Sequence, residues 1–452
     1  MLNGSAITFP GLTRSRSVSA FAYFFYFLLL TVLILSTGWM GLLDFPGVLL
    51  LIVPYALITM KSPITGLALF IFYHLSELKG ITPAPGSFLS VSILAEICLL
   101  VALVFRFFLT RKGPRFRTSI PLLTSIYLGF YLAAAVWRSS LSPKAEGLKS
   151  VTLLFFLFIC IIAFADSREK IVSFLRSLVV LQLFWFGAAA YHVLRYGTQT
   201  LASRASVEQG YLEKIVGVDA LAVSVLMFLP LVYSLLSLKQ PDIWRFLTQL
   251  SLWLSLITVI LTFSRNGFVN LIVVLSLIFL RRVSSPRVLS FILILILLVA
   301  LAPSSYWSRM STITSLEVES GLRLKISHIQ RGLDIVRSNP LLGIGLGRLV
   351  RAVHNTLLQV AVELGLPVLG LFLALLYHAF RETKRARLLW SEKDGKFWYS
   401  LTLMLSIGLI AFLIGGLTIS LTRFLPFIIL LALVVSVRNL SPEPTETSGM
   451  RA

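Results

Sequence analysis

The chain has few charges, almost no cysteine and few carboxylates, and each shortage excludes something. Only 13% of its 452 residues are charged and 57% are hydrophobic, with a mean hydropathy of +0.91. Soluble domains carry about 25% charged residues, so an ordinary water-soluble globular protein is excluded. Two cysteines, Cys98 and Cys160, exclude a disulfide framework or a cysteine-rich metal site. Both lie in apolar runs and read as small core residues. Carboxylates number 19 against 40 lysines and arginines, and no Asp-x-Asp pair of the kind that holds a divalent metal occurs. The formal charge of +21 sits in short segments between apolar runs. That distribution points to membrane topology and anionic lipid rather than to nucleic acid.

Crossing about 30 Å of hydrocarbon takes roughly 20 apolar residues in a helix. Such stretches lie near 20–37, 42–60, 63–76, 88–109, 119–137, 149–165, 171–194, 217–237, 243–263, 266–280, 287–303, 355–380, 397–417 and 423–437. Several are short, so the expectation is 12 to 14 spans. Leu, Phe, Val and Ile dominate them without the alternation of a barrel strand. The fold class is an all-α polytopic membrane protein. The first stretch follows Arg14 and Arg16 but is too long for a cleaved signal, and Ser36-Thr37-Gly38 is a poor cleavage site. The chain divides into an N-terminus (1–19), a helical bundle (20–303), a long outer loop (304–354), C-terminal spans (355–437) and a polar tail (438–452). With the N-terminus inside, the segments holding Lys61, Arg111 to Arg117, Arg168 and Lys170, Lys239 and Arg245, Arg281 to Arg287, Arg381 to Lys396 and Arg438 all fall inside. This is the positive-inside pattern, and it makes both termini cytoplasmic.

Two outer segments break the pattern. One holds Arg195, Arg204 and Lys214; the other, the long loop, holds Arg309, Arg323, Lys325, Arg331, Arg337, Arg348 and Arg351 against Glu317, Glu319 and Asp334. Cations on that side oppose the insertion bias, and an anionic ligand such as phosphate accounts for them. Within the loop, Leu322, Ile326, Ile329, Leu333 and Val336 recur at helical steps over 320–339, which predicts an amphipathic helix able to lie on the bilayer. Gly343-Ile-Gly345-Leu-Gly347 follows. No strand precedes it, so a nucleotide-binding loop is set aside; it reads as a flexible turn that approaches a ligand or re-enters the membrane surface. His354-Asn355 then opens an apolar helix, and Asn355, Gln359 and Glu363 form a polar stripe at four-residue steps running into the membrane. His74, His192 and His378 read as packing residues. Ser264-Arg265-Asn266-Gly267 is the whole outer connection between two spans, which holds Arg265 at headgroup depth.

The stretch Asn339-Pro-Leu-Leu-Gly-Ile-Gly-Leu-Gly347, with His354-Asn355, Gln359 and Glu363-Leu-Gly365, resembles the signature of the O-antigen ligase and O-antigen polymerase superfamily of bacterial membrane glycosyltransferases. Ser264-Arg265-Asn266-Gly267 is similar to that family's Ser-Arg-Gly-like turn. Arg323 matches an arginine preceding the outer helix, and Arg204 one just before a span. The resemblance covers about residues 195–380. It departs after Arg204, where Ala205 to Tyr211 replaces a Gly-Asn-Pro-Asn-like turn. It implies a GT-C-like bundle with a helix-bearing periplasmic loop in the bacterial inner membrane. It implies transfer of a glycan from an undecaprenyl diphosphate carrier to an acceptor hydroxyl on the periplasmic face. In a ligase the acceptor is a lipid A core sugar; in a polymerase it is a second carrier-linked glycan. A transporter or flippase of lipid-linked glycans is the non-enzyme rival, but no internal repeat supports it.

A sugar held through a diphosphate already has a good leaving group, so the chemistry asks for charge stabilisation and a base. Arginine is a permanent bidentate clamp for the departing diphosphate; Arg265, Arg323 and Arg204 are the candidates. Histidine suits a general base near neutral pH, and His354 is that candidate. Asn355, Gln359, Glu363 and Ser264 are expected to support them. No metal, cofactor or nucleic acid is expected, and in-line displacement would invert the anomeric centre.

Overall fold

A computed structural model describes residues 45–75, 91–110, 116–137, 141–203, 218–279, 320–346, 352–390 and 395–442, with Leu289, Leu293, Ile296 and Trp307 as single positions. Among them every regular element is helical. The helices are α1 (Phe45–Lys61), α2 (Pro63–Leu75), α3 (Val91–Thr110), α4 (Ile120–Trp137), α5 (Leu141–Phe164), α6 (Arg168–Ser203), α7 (Val218–Ser234), α8 (Asp242–Leu261), α9 (Arg265–Phe279), α10 (Ser320–Ser338), α11 (Thr356–Leu364), α12 (Leu366–Leu389), α13 (Lys396–Gly416) and α14 (Leu425–Leu440). Among the described residues, four segments are long and apolar enough to cross a membrane: Arg168–Tyr191, Val218–Ser237, Asp242–Leu261 and Lys396–Gly416. Shorter apolar helices join them, including Pro63–Leu75, Arg265–Phe279 and Leu425–Leu440. The chain is an all-α polytopic membrane protein. Helix is the form such runs must take, because lipid offers no partner to a free backbone group.

The expected spans map onto these helices with two differences. The 36-residue α6 is roughly 54 Å long at 1.5 Å per residue, so it outruns the hydrocarbon and takes in part of the expected outer segment 195–216. The expected span 355–380 is two helices, α11 and α12, broken at Gly365, whose φ is +86°. The break is enforced by neighbours: Leu366 N–H leaves the helical ladder and donates to Pro340 O at 2.7 Å, and a Cβ on Gly365 would collide with the carbonyl of Leu341. The expected span 20–37 and the tail from 443 lie outside the described residues, as does most of 287–303.

α7 and α14 are apolar on every side and buried along their lengths, which places them at the bundle centre. α13 presses against α7 through small residues. A Cβ on Gly408 would lie 2.8 Å from Met227 O, and one on Gly415 2.5 Å from Val223 Cγ2. Close backbone approach of this kind is how helices associate without a hydrophobic drive. Buried polar side chains are tied between helices: Ser251 Oγ donates to Gln182 Oε1 at 3.0 Å, Gln182 reaches Val225 O, and Asn270 Nδ2 donates to Ala411 O at 2.8 Å.

One end of the bundle collects the cations expected on the inside. Glu382, with its side chain 2% exposed, pairs with Arg385 at 2.9 Å and Arg438 at 3.2 Å. Arg117 donates to Ser441 O, Asp166 joins Arg106 and Lys170, and Arg168 lies over the Phe397 ring. The first turn of α9, the last of α13 and the first of α14 all lie at the other end.

Candidate active site

The turn between α8 and α9 is fixed on all sides. Phe263 is buried with φ +50°, a left-handed conformation that a bulky residue rarely adopts. Ser264 Oγ accepts from Gly267 N–H at 3.0 Å, which caps α9, and donates to Asp219 Oδ1 at 2.6 Å, which ties the turn to the start of α7. Asn266 Nδ2 donates to Gly415 O at the end of α13, at 3.2 Å. Arg265 is the first residue of α9 and is half-buried. Its place in the first turn puts it at the positive end of the helix dipole, where an anion is favoured.

The second constellation starts at His354, which among the described residues is the other non-glycine with positive φ, at +56°. Asn355 caps α11: its Oδ1 accepts from Leu358 N–H at 2.9 Å, while Nδ2 donates to Leu417 O at 3.2 Å. Thr356 Oγ1 donates to Ile419 O and accepts from Leu421 N–H, both at 2.9 Å. One helical turn deeper, Gln359 Oε1 accepts from Val353 N–H at 2.9 Å and from Ser420 Oγ at 3.2 Å. Its Nε2 donates to Glu363 Oε1 at 2.7 Å, and Tyr131 donates to Glu363 Oε2 at 3.3 Å. The polar stripe therefore faces the interior, with Gln359 and Glu363 buried. It also grips the backbone on the N-terminal side of His354.

Asn266 and Asn355 hang from Gly415 and Leu417, two carbonyls of one turn, so Arg265 and His354 share an end of the bundle. Ser264, Asn355, Gln359 and Glu363 are brought together with them. Arg204 lies outside the described residues. Arg323 falls in the first turn of α10, and its side chain is not described. The glycine-rich turn is not the flexible ligand loop expected of it. Ile344 and Gly345 N–H donate to Val362 O at 2.8 Å and Glu363 O at 3.0 Å, closing carbonyls that the end of α11 leaves without helical partners. Gly343, at φ +60°, leaves no room for a side chain, since a Cβ there would stand 2.5 Å from the Glu363 carbonyl carbon.

Three residues at this end had been assigned no role from sequence. His328 of α10 stacks on His354, with ring centroids 5.5 Å apart and planes within 14°; the 25 intervening residues hide that pairing, and nothing local marks it. Arg423, in the turn before α14, interacts electrostatically with Glu363 and Tyr127. It is the first residue of the expected span 423–437, a place to which the sequence attaches no role. Asp219 carried a weak signal, an acid in the first turn of a helix.

Residues 250–373 match the family described as O-antigen ligase. The matched segment includes Ser264, Arg265, Arg323, His328, His354, Asn355, Gln359 and Glu363. No curated protein matches the chain.

Proposed function

We propose that this chain, which the family match supports as a member of the O-antigen ligase/polymerase superfamily, is a membrane glycosyltransferase. It takes a glycan from undecaprenyl diphosphate and places it on an acceptor hydroxyl, a lipid A core sugar, at the periplasmic face of the inner membrane. The observation that carries this reading is the shared suspension of Asn266 and Asn355, the chain neighbours of Arg265 and His354, from the end of α13. The end of the bundle rich in Glu382, Arg385, Arg438 and Arg117 is then cytoplasmic by the positive-inside rule.

In this mechanism the bond between the anomeric carbon and the diphosphate oxygen breaks as the acceptor oxygen attacks from the opposite side, inverting the centre. Arg265, at the start of α9, stabilises the charge that grows on the departing diphosphate, joined by Arg323 and Arg204 and, from its place beside α14, by Arg423. His354 takes the acceptor proton and releases it to solvent. Guanidinium groups serve because they are permanently charged and fork-shaped. One such contact, made only in the transition state, is worth about 10²–10³ in rate.

The test is transfer by purified protein in lipid, with carrier-linked glycan and lipid A core as the only substrates. Product without ATP or a gradient, lost in His354→Ala, is the expected result. Translocation without bond formation would assign a transporter. Lengthening of the carrier-linked glycan in place of capping of the core would assign a polymerase.

A further inference from the structure

We propose that His328 is a positioning residue for His354: its imidazole braces the general base by stacking and stabilises the imidazolium that forms when His354 takes the acceptor proton. The inference rests on the transferase reading above. The ties described around His354 hold its backbone: Gln359 grips Val353 N–H, and Asn355 and Thr356 anchor the first turn of α11. His328 supplies a flat surface 5.5 Å away, with planes within 14°.

The approach of α10 that creates the stack is built into the sequence. Gly332 lies one turn after His328 on the same helix face. A Cβ there would stand 2.6 Å from Val353 Cγ1 and 3.0 Å from Leu358 Cδ2. Only glycine lets α10 come this close to the residue before His354. His328 Nδ1 is buried and finds no hydrogen-bond partner among the described residues. A histidine kept merely to pack would be expected to satisfy both nitrogens, because an orphaned buried polar atom is costly. A neutral imidazole face against a forming imidazolium gives a favourable cation–π arrangement.

The experiment is steady-state transfer for wild type, His328→Ala, His328→Phe and His354→Ala in lipid. We expect His328→Ala to lower kcat by about tenfold to 10²-fold, the scale of a misplaced catalytic group, with the donor KM within about twofold. His328→Phe keeps the flat ring and recovers most of kcat. An unchanged kcat in His328→Ala overturns the proposal. So does a His328→Phe variant as impaired as His328→Ala. Full activity in His354→Ala would defeat the transferase reading itself; loss there with no effect at His328 defeats this inference alone.

Discussion

Gln359→Leu tests how the site is held. The glutamine is buried and carries three bonds: Val353 N–H and Ser420 Oγ into Oε1, at 2.9 and 3.2 Å, and Nε2 to Glu363 at 2.7 Å. Leucine keeps roughly the volume and removes all three. Ser420 can turn its hydroxyl elsewhere, but Val353 N–H is fixed in the backbone and is left orphaned. That costs about 1–3 kcal/mol. His354, the next residue, sits at φ +56°, a conformation worth about 1–3 kcal/mol of strain that persists only while its surroundings impose it. With the Val353 tie gone, the backbone can relax and carry the imidazole out of reach. If the loss at Val353 is felt fully at His354, kcat falls by about 5- to 150-fold while the donor KM changes little, since the arginines are untouched. Transfer kinetics with purified protein reads this directly. A variant that melts earlier in detergent yet keeps kcat within twofold of wild type would show that Gln359 serves the fold alone, and the reasoning would be wrong.

Other perturbations separate the remaining parts. Arg265→Lys should lose nearly as much transfer as Arg265→Ala, about 10²-fold or more, because a point charge does not replace a fork; normal turnover by the lysine variant would reduce the role to simple attraction. Asn355→Ala removes the α11 cap and the tie to Leu417 O, and should lower stability by about 1 kcal/mol or more, read as a drop in Tm. Gly343→Ala forces a Cβ to within 2.5 Å of the Glu363 carbonyl carbon at φ +60°, and should disrupt the α10–α11 connection, seen as new protease cleavage near 339–346. Burial raises the Asp166 carboxyl, but hydrogen bonds from Lys170 and Arg106 outweigh it and hold it below the usual carboxylate range. Its stabilisation is therefore present above about pH 4 and is lost as pH falls through the depressed folded value. Asp166→Asn should flatten the acid fall of Tm in that window.

Much of the bundle was legible because lipid leaves the chain so few choices. Apolar runs became α2, α4, α8, α9, α13 and α14 close to their expected limits, and the period of Leu322, Ile326, Ile329, Leu333 and Val336 became α10. The polar stripe Asn355, Gln359, Glu363 was visible for the same reason: four-residue spacing on a helix puts three side chains on one face. What the sequence hid depends on distant partners. The break at Gly365 is held by Pro340 and Leu341, some 25 residues earlier; the local signal, Gly365 with Pro367 two residues on, marks only where a helix can stop and restart. The stack of His328 on His354 and the nearness of Arg423 to Glu363 are equally non-local. Ser264 was seen as part of a motif, but its work as a helix cap between Asp219 and Gly267 shows only in three dimensions.

The way the site is assembled explains why it can exist at a membrane boundary at all. The last turn of a helix leaves carbonyls without intrahelical partners, and in lipid such groups must be satisfied by protein. The end of α13 offers Gly415 O and Leu417 O, and the segment beyond it Ile419 O; these are taken by Asn266, Asn355 and Thr356. The end of α11 offers Val362 O and Glu363 O, taken by the turn at 344–345. Each bond meets a backbone demand and at the same time fixes an element beside Arg265 or His354. The two strained residues, Phe263 and His354, each lie immediately before an element anchored in this way: the turn of Ser264 and Arg265, and the α11 cap. On this view the end of α13 is the member on which the site depends. Displacing it should therefore affect the arginine and the histidine together, whereas a change at α10 alone should reach only the histidine.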